Sequence, residues 1–169
     1  ITINNGQILV KTSYEGIEAN VIEINNGTID VTSSDDGINV AGGNDQSDQN
    51  GSFGGDPFSS SGNSNLTING GNIVVKASGD GLDANGSIYI NGGTIYVNGP
   101  TSDGDGALDY DNECIVTGGT LLAIGSTGMA QNVSDGSQTS FITTLSQKYS
   151  PGSVIKLVDE ANHTILENT

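Results

Sequence analysis

A chain of 169 residues, a third of them apolar, carries enough hydrophobic mass for one domain with a narrow, continuous core. Trp is absent, aromatic rings are few and glycines number 26, which argues against a helical bundle or sandwich filled by large side chains and for many turns. Acidic residues number 20 against 4 basic ones, Lys11, Lys76, Lys148 and Lys156, so the formal charge is -16; nucleic acid is excluded as a partner, because neutralising phosphate requires basic patches.

Self-repulsion of that size is relieved most economically by divalent cations. The lone Cys114 allows no internal disulfide. No apolar run approaches the roughly 18 residues of a membrane span, so no span is expected in this chain. No signal peptide is visible, and the chain opens in mid-pattern at Ile1, as a mature product or a trimmed piece of a longer chain would.

From Ile1 onward the sequence repeats itself. Ile3-Asn4-Asn5-Gly6-Gln7-Ile8 returns as Ile24-Asn25-Asn26-Gly27-Thr28-Ile29, Ile68-Asn69-Gly70-Gly71-Asn72-Ile73, Ile90-Asn91-Gly92-Gly93-Thr94-Ile95 and Val116-Thr117-Gly118-Gly119-Thr120-Leu121. The aligned glycines at 6, 27, 71, 93 and 119 lie 21, 44, 22 and 26 residues apart by subtraction, a unit of 21 to 22 with one long insertion. Each unit holds short alternating segments, such as Ile1-Thr2-Ile3, Ile8-Leu9-Val10 and Ile17-Glu18-Ala19, and period two means strands. Stacked one unit on the next at about 4.8 Å, such segments build an all-β parallel β-helix with three faces and about five coils over residues 1–132.

Four aliphatic columns are then expected inside: Ile1, Ile22, Leu66, Ile88, Cys114; Ile3, Ile24, Ile68, Ile90, Val116; Ile8, Ile29, Ile73, Ile95, Leu121; and Val10, Val31, Val75, Val97, Ala123. Cys114 is thereby a buried structural thiol. Asn4, Asn25, Asn69 and Asn91 form an amide ladder at a turn. The stretch from Gly42 to Ser64, rich in Gly, Ser, Asn and Asp with only Phe53 and Phe58 as large apolar groups, reads as a loop between the second and third coils. Residues 133–169, with Phe141 to Ile165 alternating, read as a C-terminal β cap of the same domain, covering the last coil.

The third segment of each coil carries the chemistry. It runs Glu15-Gly16-Ile17-Glu18-Ala19-Asn20, then Asp36-Gly37-Ile38-Asn39, then Asp80-Gly81-Leu82-Asp83-Ala84-Asn85, then Asp105-Gly106-Ala107-Leu108-Asp109-Tyr110-Asp111, with Ala107 extra. Stacking predicts one column of Glu15, Asp36, Asp80 and Asp105 and another of Glu18, Asn39, Asp83 and Asp109, with Asn20, Asn85 and Asp111 beside them. A single Asp-Gly is an ordinary turn signal. The same register in four coils, with carboxylates about 5 Å apart and no Lys in either column, points to a shared cation. Calcium suits an array of carboxylate, amide and backbone oxygens, whereas zinc or copper would want His or Cys. The fifth coil, Thr127-Gly128-Met129-Ala130-Gln131, has lost both acids, so the metal ladder should end below it. A second outward set, Leu9, Asp30, Val74, Tyr96 and Leu122, lies beside Lys11 and Lys76, with Tyr89 on the neighbouring face; Tyr rings and Lys on a flat sheet suit sugars and uronate groups.

The combination of Asn-Gly-Gly-Thr-Ile with Asp-Gly-Leu-Asp-Ala-Asn, the Gly-rich insertion, Gly104-Asp105-Gly106-Ala107-Leu108-Asp109-Tyr110, and Gly118-Gly119-Thr120-Leu121-Leu122-Ala123 leading to Met129-Ala130-Gln131 resembles the bacterial carbohydrate-binding β-helix family of clostridial plant-cell-wall degraders. The resemblance spans nearly the whole chain. It implies a right-handed, pectate-lyase-like β-helix that binds calcium. It further implies a secreted or cell-surface bacterial protein that recognises cellulose and acidic, pectin-type polysaccharide such as polygalacturonate without catalysis.

Two alternatives share the fold. A pectate lyase abstracts its proton with Arg, which this chain lacks; a polygalacturonase needs an acid and base trio, for which Asp103, Asp105 and Asp109 are the candidates. A surface adhesin stiffened by calcium is the other.

Overall fold

A strand of two or three residues leaves unpaired backbone groups on both sides and cannot persist alone. A repeat of constant length removes the difficulty by laying each strand on its counterpart one repeat away. The computed structural model describes residues 1–40, 64–150 and 152–168, and among these the regular structure is all strand. The first repeat contributes β1 (Thr2–Ile3), β2 (Gln7–Val10) and β3 (Ile17–Glu18), and the second β4 (Ile22–Ile24), β5 (Thr28–Thr32) and β6 (Ile38–Val40). The third contributes β7 (Leu66–Ile68), β8 (Asn72–Lys76) and β9 (Leu82–Ala84), and the fourth β10 (Ser87–Ile90), β11 (Thr94–Asn98) and β12 (Leu108–Tyr110). The fifth adds β13 (Glu113–Val116) and β14 (Thr120–Ile124).

These strands form three parallel sheets, each taking one strand per repeat in order: β1-β4-β7-β10-β13, β2-β5-β8-β11-β14 and β3-β6-β9-β12. The register is that of the sequence repeat. Ile3 pairs with Ile24, Ile24 with Ile68, Ile68 with Ile90 and Ile90 with Val116. The Ile8 and Val10 columns run likewise to Leu121 and Ala123. A fifth apolar column, Ile17, Ile38, Leu82 and Leu108, lines the third sheet. Ile24, Ile68, Ile90, Val31 and Cys114 are fully buried, each aliphatic side chain worth about 1.5–3 kcal/mol of transfer from water. The ends are less protected: Ile1 is exposed, and Leu121, Ala123 and Ile124 are only half-buried.

The turn between the first and second sheets shows why its residues recur. Asn25 Nδ2 donates to Asn4 Oδ1 at 2.9 Å, Asn69 Nδ2 to Asn25 Oδ1 at 2.8 Å and Asn91 Nδ2 to Asn69 Oδ1 at 2.9 Å, and Thr117 Oγ1 ends the ladder on Asn91 Oδ1 at 2.8 Å. The aligned glycines all have positive φ, from +82° at Gly119 to +125° at Gly27. A Cβ on Gly71 would stand 2.8 Å from the Gly27 carbonyl, so conformation and stacking distance both demand glycine.

The insertion between the second and third repeats, with Phe53 and Phe58, lies outside the described residues except for Ser64, which is buried; the register from β4 to β7 and from β6 to β9 continues across it. Two findings differ from expectation at the C-terminal end. The first sheet gains a sixth strand, β15 (Asp135–Gly136), paired with β13, so stacking extends past residue 132. Beyond it, β16 (Ile155–Val158) and β17 (Thr164–Asn168) form an antiparallel hairpin, but Phe141, Ile142, Leu145, Val154, Val158 and Ile165, expected to cover the last coil, are exposed instead. No helix among the described residues is long and apolar enough to cross a membrane.

Candidate metal centre

The third sheet and the bend before it hold most of the acids read from the repeat. In the second column, Glu18 pairs with Asn39, Asn39 with Asp83 and Asp83 with Asp109, as expected. Gln131 of the fifth repeat donates from Nε2 to Asp109 Oδ1 at 2.8 Å and ends the column with an amide.

The first column differs at its upper end. The backbone bonds from Gly16 N to Asp36 O, Gly37 N to Asp80 O and Gly81 N to Gly106 O show that Gly106, and not Asp105, follows Asp80. The extra residue Ala107 takes the glycine position, because Leu108 and Asp109 must stay opposite Leu82 and Asp83 to keep the core in register. Asp105 is thereby displaced by one residue, into the row of Asp35 and Gly79, where its carboxylate accepts a 2.5 Å hydrogen bond from Ser102 Oγ.

The carboxylates of Asp36 and Asp80 reach forward to the next repeat. Asp36 Oδ1 accepts the Asp80 N–H at 2.7 Å and Asp80 Oδ1 accepts the Gly106 N–H at 2.5 Å. Asn39 Nδ2 lies between Asp36 Oδ2 at 3.2 Å and Glu15 Oε2 at 3.4 Å. Asp83 is half-buried, and its carboxylate accepts no hydrogen bond from a described residue.

Burial pushes Asp36 up to about 8; the Asp80 N–H opposes this, and Glu15, Asp80 and Asp35 add repulsion. Asp83 is also raised to about 8, by burial and then by Asp36, Asp80, Asp109 and Asp111. Asp80 rises to about 6, through burial set against the Gly106 N–H, with Asp109, Asp105 and Asp35 repelling it. Asp109 is raised chiefly by burial, against hydrogen bonds from the Tyr110 N–H and Gln131. No cationic side chain relieves the cluster: the ion pairs among the described residues are Lys156 with Glu167 and His163 with Asp159, both in the C-terminal hairpin.

As a donor set, hard oxygens from carboxylates and amides suit calcium. Convergence is weaker: among the described residues, no group of three or more acidic, His or Cys side chains is arranged around one ion position. Mutual repulsion and scattered donors agree physically, because carboxylates that answer to backbone N–H groups turn along the stack rather than toward a common point. Asn20 and Asp111 are exposed at the edge, and Asn85 is half-buried. Asp35 went unmarked in the repeat although it directly precedes Asp36; its Oδ1 and that of Asp36 would stand 2.6 and 2.5 Å from a Cβ at Gly79, so the two acids crowd around a glycine.

Lys76 and Tyr96 belong to the outer side of the second sheet, where Tyr96 pairs with Val74 and Lys76 with Asn98, and Lys11 directly follows β2 of that sheet. Both lysines are exposed. Tyr89 lies on the first sheet and donates its hydroxyl to Glu113 Oε1 at 3.2 Å, apart from the others. The trio Asp103, Asp105 and Asp109 is divided among different donors, Ser126, Ser102 and Gln131. Cys114 is fully buried, and burial pushes its thiol up to about 12, far from a thiolate nucleophile. Comparison with protein families, curated proteins and solved structures returned no match.

Proposed function

We propose that this chain is a right-handed, pectate-lyase-like parallel β-helix that binds calcium along its third sheet and recognises plant cell-wall polysaccharide, cellulose and pectin-type acidic glycan, at the cell surface or outside the cell, without catalysis. The observation that carries the metal reading is Asp83: a half-buried carboxylate in register between Asn39 and Asp109, pressed by four other acids and given no hydrogen bond by a described residue. A hard divalent ion beside Asp83 relieves that repulsion. Because no three acidic side chains among the described residues converge on one point, Asp80 and Asp109 have to turn from the Gly106 N–H and from Gln131 to join Asp83 as its donors. Glu15, Glu18 and Asp111 add negative potential that concentrates the ion.

The sugar-binding reading rests on the family resemblance and on the outer side of the second sheet. There Tyr96 offers a ring for stacking, and Lys76 on the same sheet and Lys11 just after β2 are two of the four lysines of a strongly acidic molecule. Calcium shared between protein and uronate carboxylates would let one anion hold another.

The test is calorimetric titration of chelator-treated protein with calcium and magnesium, followed by pull-down on insoluble cellulose and on polygalacturonate gel. Calcium should bind more tightly than magnesium, and chelator should release the protein from polygalacturonate. Absence of calcium uptake removes the metal reading. Calcium uptake without retention on either polysaccharide leaves a calcium-stiffened structural protein, and release of reducing or unsaturated sugars would replace binding with catalysis.

A further inference from the structure

An asparagine followed by glycine is chemically vulnerable, because no side chain hinders attack of the glycine nitrogen on the Asn Cγ. Four such pairs fall at the turn between the first and second sheets: Asn5-Gly6, Asn26-Gly27, Asn69-Gly70 and Asn91-Gly92. The fold divides them into two kinds.

Asn69 and Asn91 belong to the amide ladder, and each is held at both ends. Asn69 donates to Asn25 and accepts from Asn91, while Asn91 donates to Asn69 and accepts from Thr117. Turning either carboxamide toward its own glycine breaks two hydrogen bonds. Asn5 and Asn26 are the second residues of Asn-Asn-Gly and stand beside the ladder. Both are exposed, and each Oδ1 already accepts the N–H of its own glycine, Gly6 at 2.8 Å and Gly27 at 2.9 Å. The carboxamide therefore rests against the nitrogen that attacks it.

We propose that Asn5 and Asn26 are sites of spontaneous deamidation in the folded protein, and that the ladder protects Asn69 and Asn91. The glycine nitrogen, losing its proton to solvent base, forms a bond to Cγ; the Cγ–NH2 bond breaks, and the amine takes a proton and leaves as ammonia. Water then opens the succinimide at either carbonyl, leaving aspartate or its β-linked isomer, with no oxidant or reductant involved. Each event adds one negative charge. The β-linked product also lengthens the backbone where repeats one and two are closely stacked, since a Cβ on Gly27 would stand 2.9 Å from the Gly6 carbonyl.

Incubating the native protein in mildly alkaline buffer, then mapping peptides by mass spectrometry with enzymatic detection of isoaspartate, tests the division. Asn5 and Asn26 should convert several-fold faster than Asn69 and Asn91, and the four rates should converge in denaturant. Thr117→Val, which removes the donor on Asn91 Oδ1, should accelerate Asn91 selectively. The proposal is overturned if native Asn69 or Asn91 converts as fast as Asn5 and Asn26. It is equally overturned if Asn5 and Asn26 stay intact in the native chain while the denatured chain converts.

Discussion

Replacing Asp83 by Asn removes one charge from the acidic columns and keeps the shape of the side chain. Burial and the neighbouring acids Asp36, Asp80, Asp109 and Asp111 raise the Asp83 carboxyl from 3.8 to about 8. An acid whose pKa is higher folded than unfolded makes the folded state the better proton binder. Its stabilising effect is therefore complete below about pH 4 and is lost as pH rises toward about 8. At about 1.4 kcal/mol per pKa unit the shift sets a ceiling near 6 kcal/mol, and because the neighbouring acids share the same repulsion, the part removed with Asp83 alone is about 2–4 kcal/mol. At roughly 2–4 °C per kcal/mol, Asp83→Asn should raise Tm in chelator by about 4–16 °C above pH 8 and change it little near pH 4. Thermal melts followed by circular dichroism across that range read both arms. Parallel melting of wild type and variant at every pH, or a calcium-free wild type that gains stability as pH rises, would refute the electrostatic account. With calcium added, the variant should gain less than the wild type, since a donor has been removed.

Asn69→Ala takes out the centre of the amide ladder and leaves Asn25 Oδ1 and Asn91 Nδ2 without their partner; chemical denaturation should show a loss of about 1–2 kcal/mol. Ile90→Ala opens a cavity at a fully buried position between Ile68 and Val116, with an expected loss of about 2–5 kcal/mol by the same measurement. The Cys114 thiol, fully buried and pushed up to about 12, should react with thiol reagents only as fast as the chain opens; rapid labelling under native conditions would show that the core column is misassigned.

Much of the architecture is legible in the repeat because parallel stacking translates sequence spacing directly into space. Once Gly6, Gly27, Gly71, Gly93 and Gly119 are aligned, every residue at the same offset must share a column, and the Ile, Val and Asn columns follow. The same logic fails for Asp105. Alignment by the Asp-Gly motif sets it beside Asp80, whereas packing aligns the buried Leu108 with Leu82 and moves the acid aside. Burial of an aliphatic side chain outweighs the placement of a solvated carboxylate. The apolar alternation of Phe141 to Ile165 was equally visible, yet alternation specifies strands and not what they cover.

The sequence by itself determined the repeat length, the turn glycines, the amide ladder and four of the five core columns, because each depends only on recurrence at a fixed interval. Tertiary structure decided where the carboxylates point. Asp36 and Asp80 turn to the backbone N–H groups of the next repeat, Gln131 closes the column over Asp109, and Asp83 is left without a donor among the described residues. Which oxygen meets which donor depends on distances of a few ångströms between residues tens of positions apart, and side-chain rotation, which recurrence does not constrain, sets those distances.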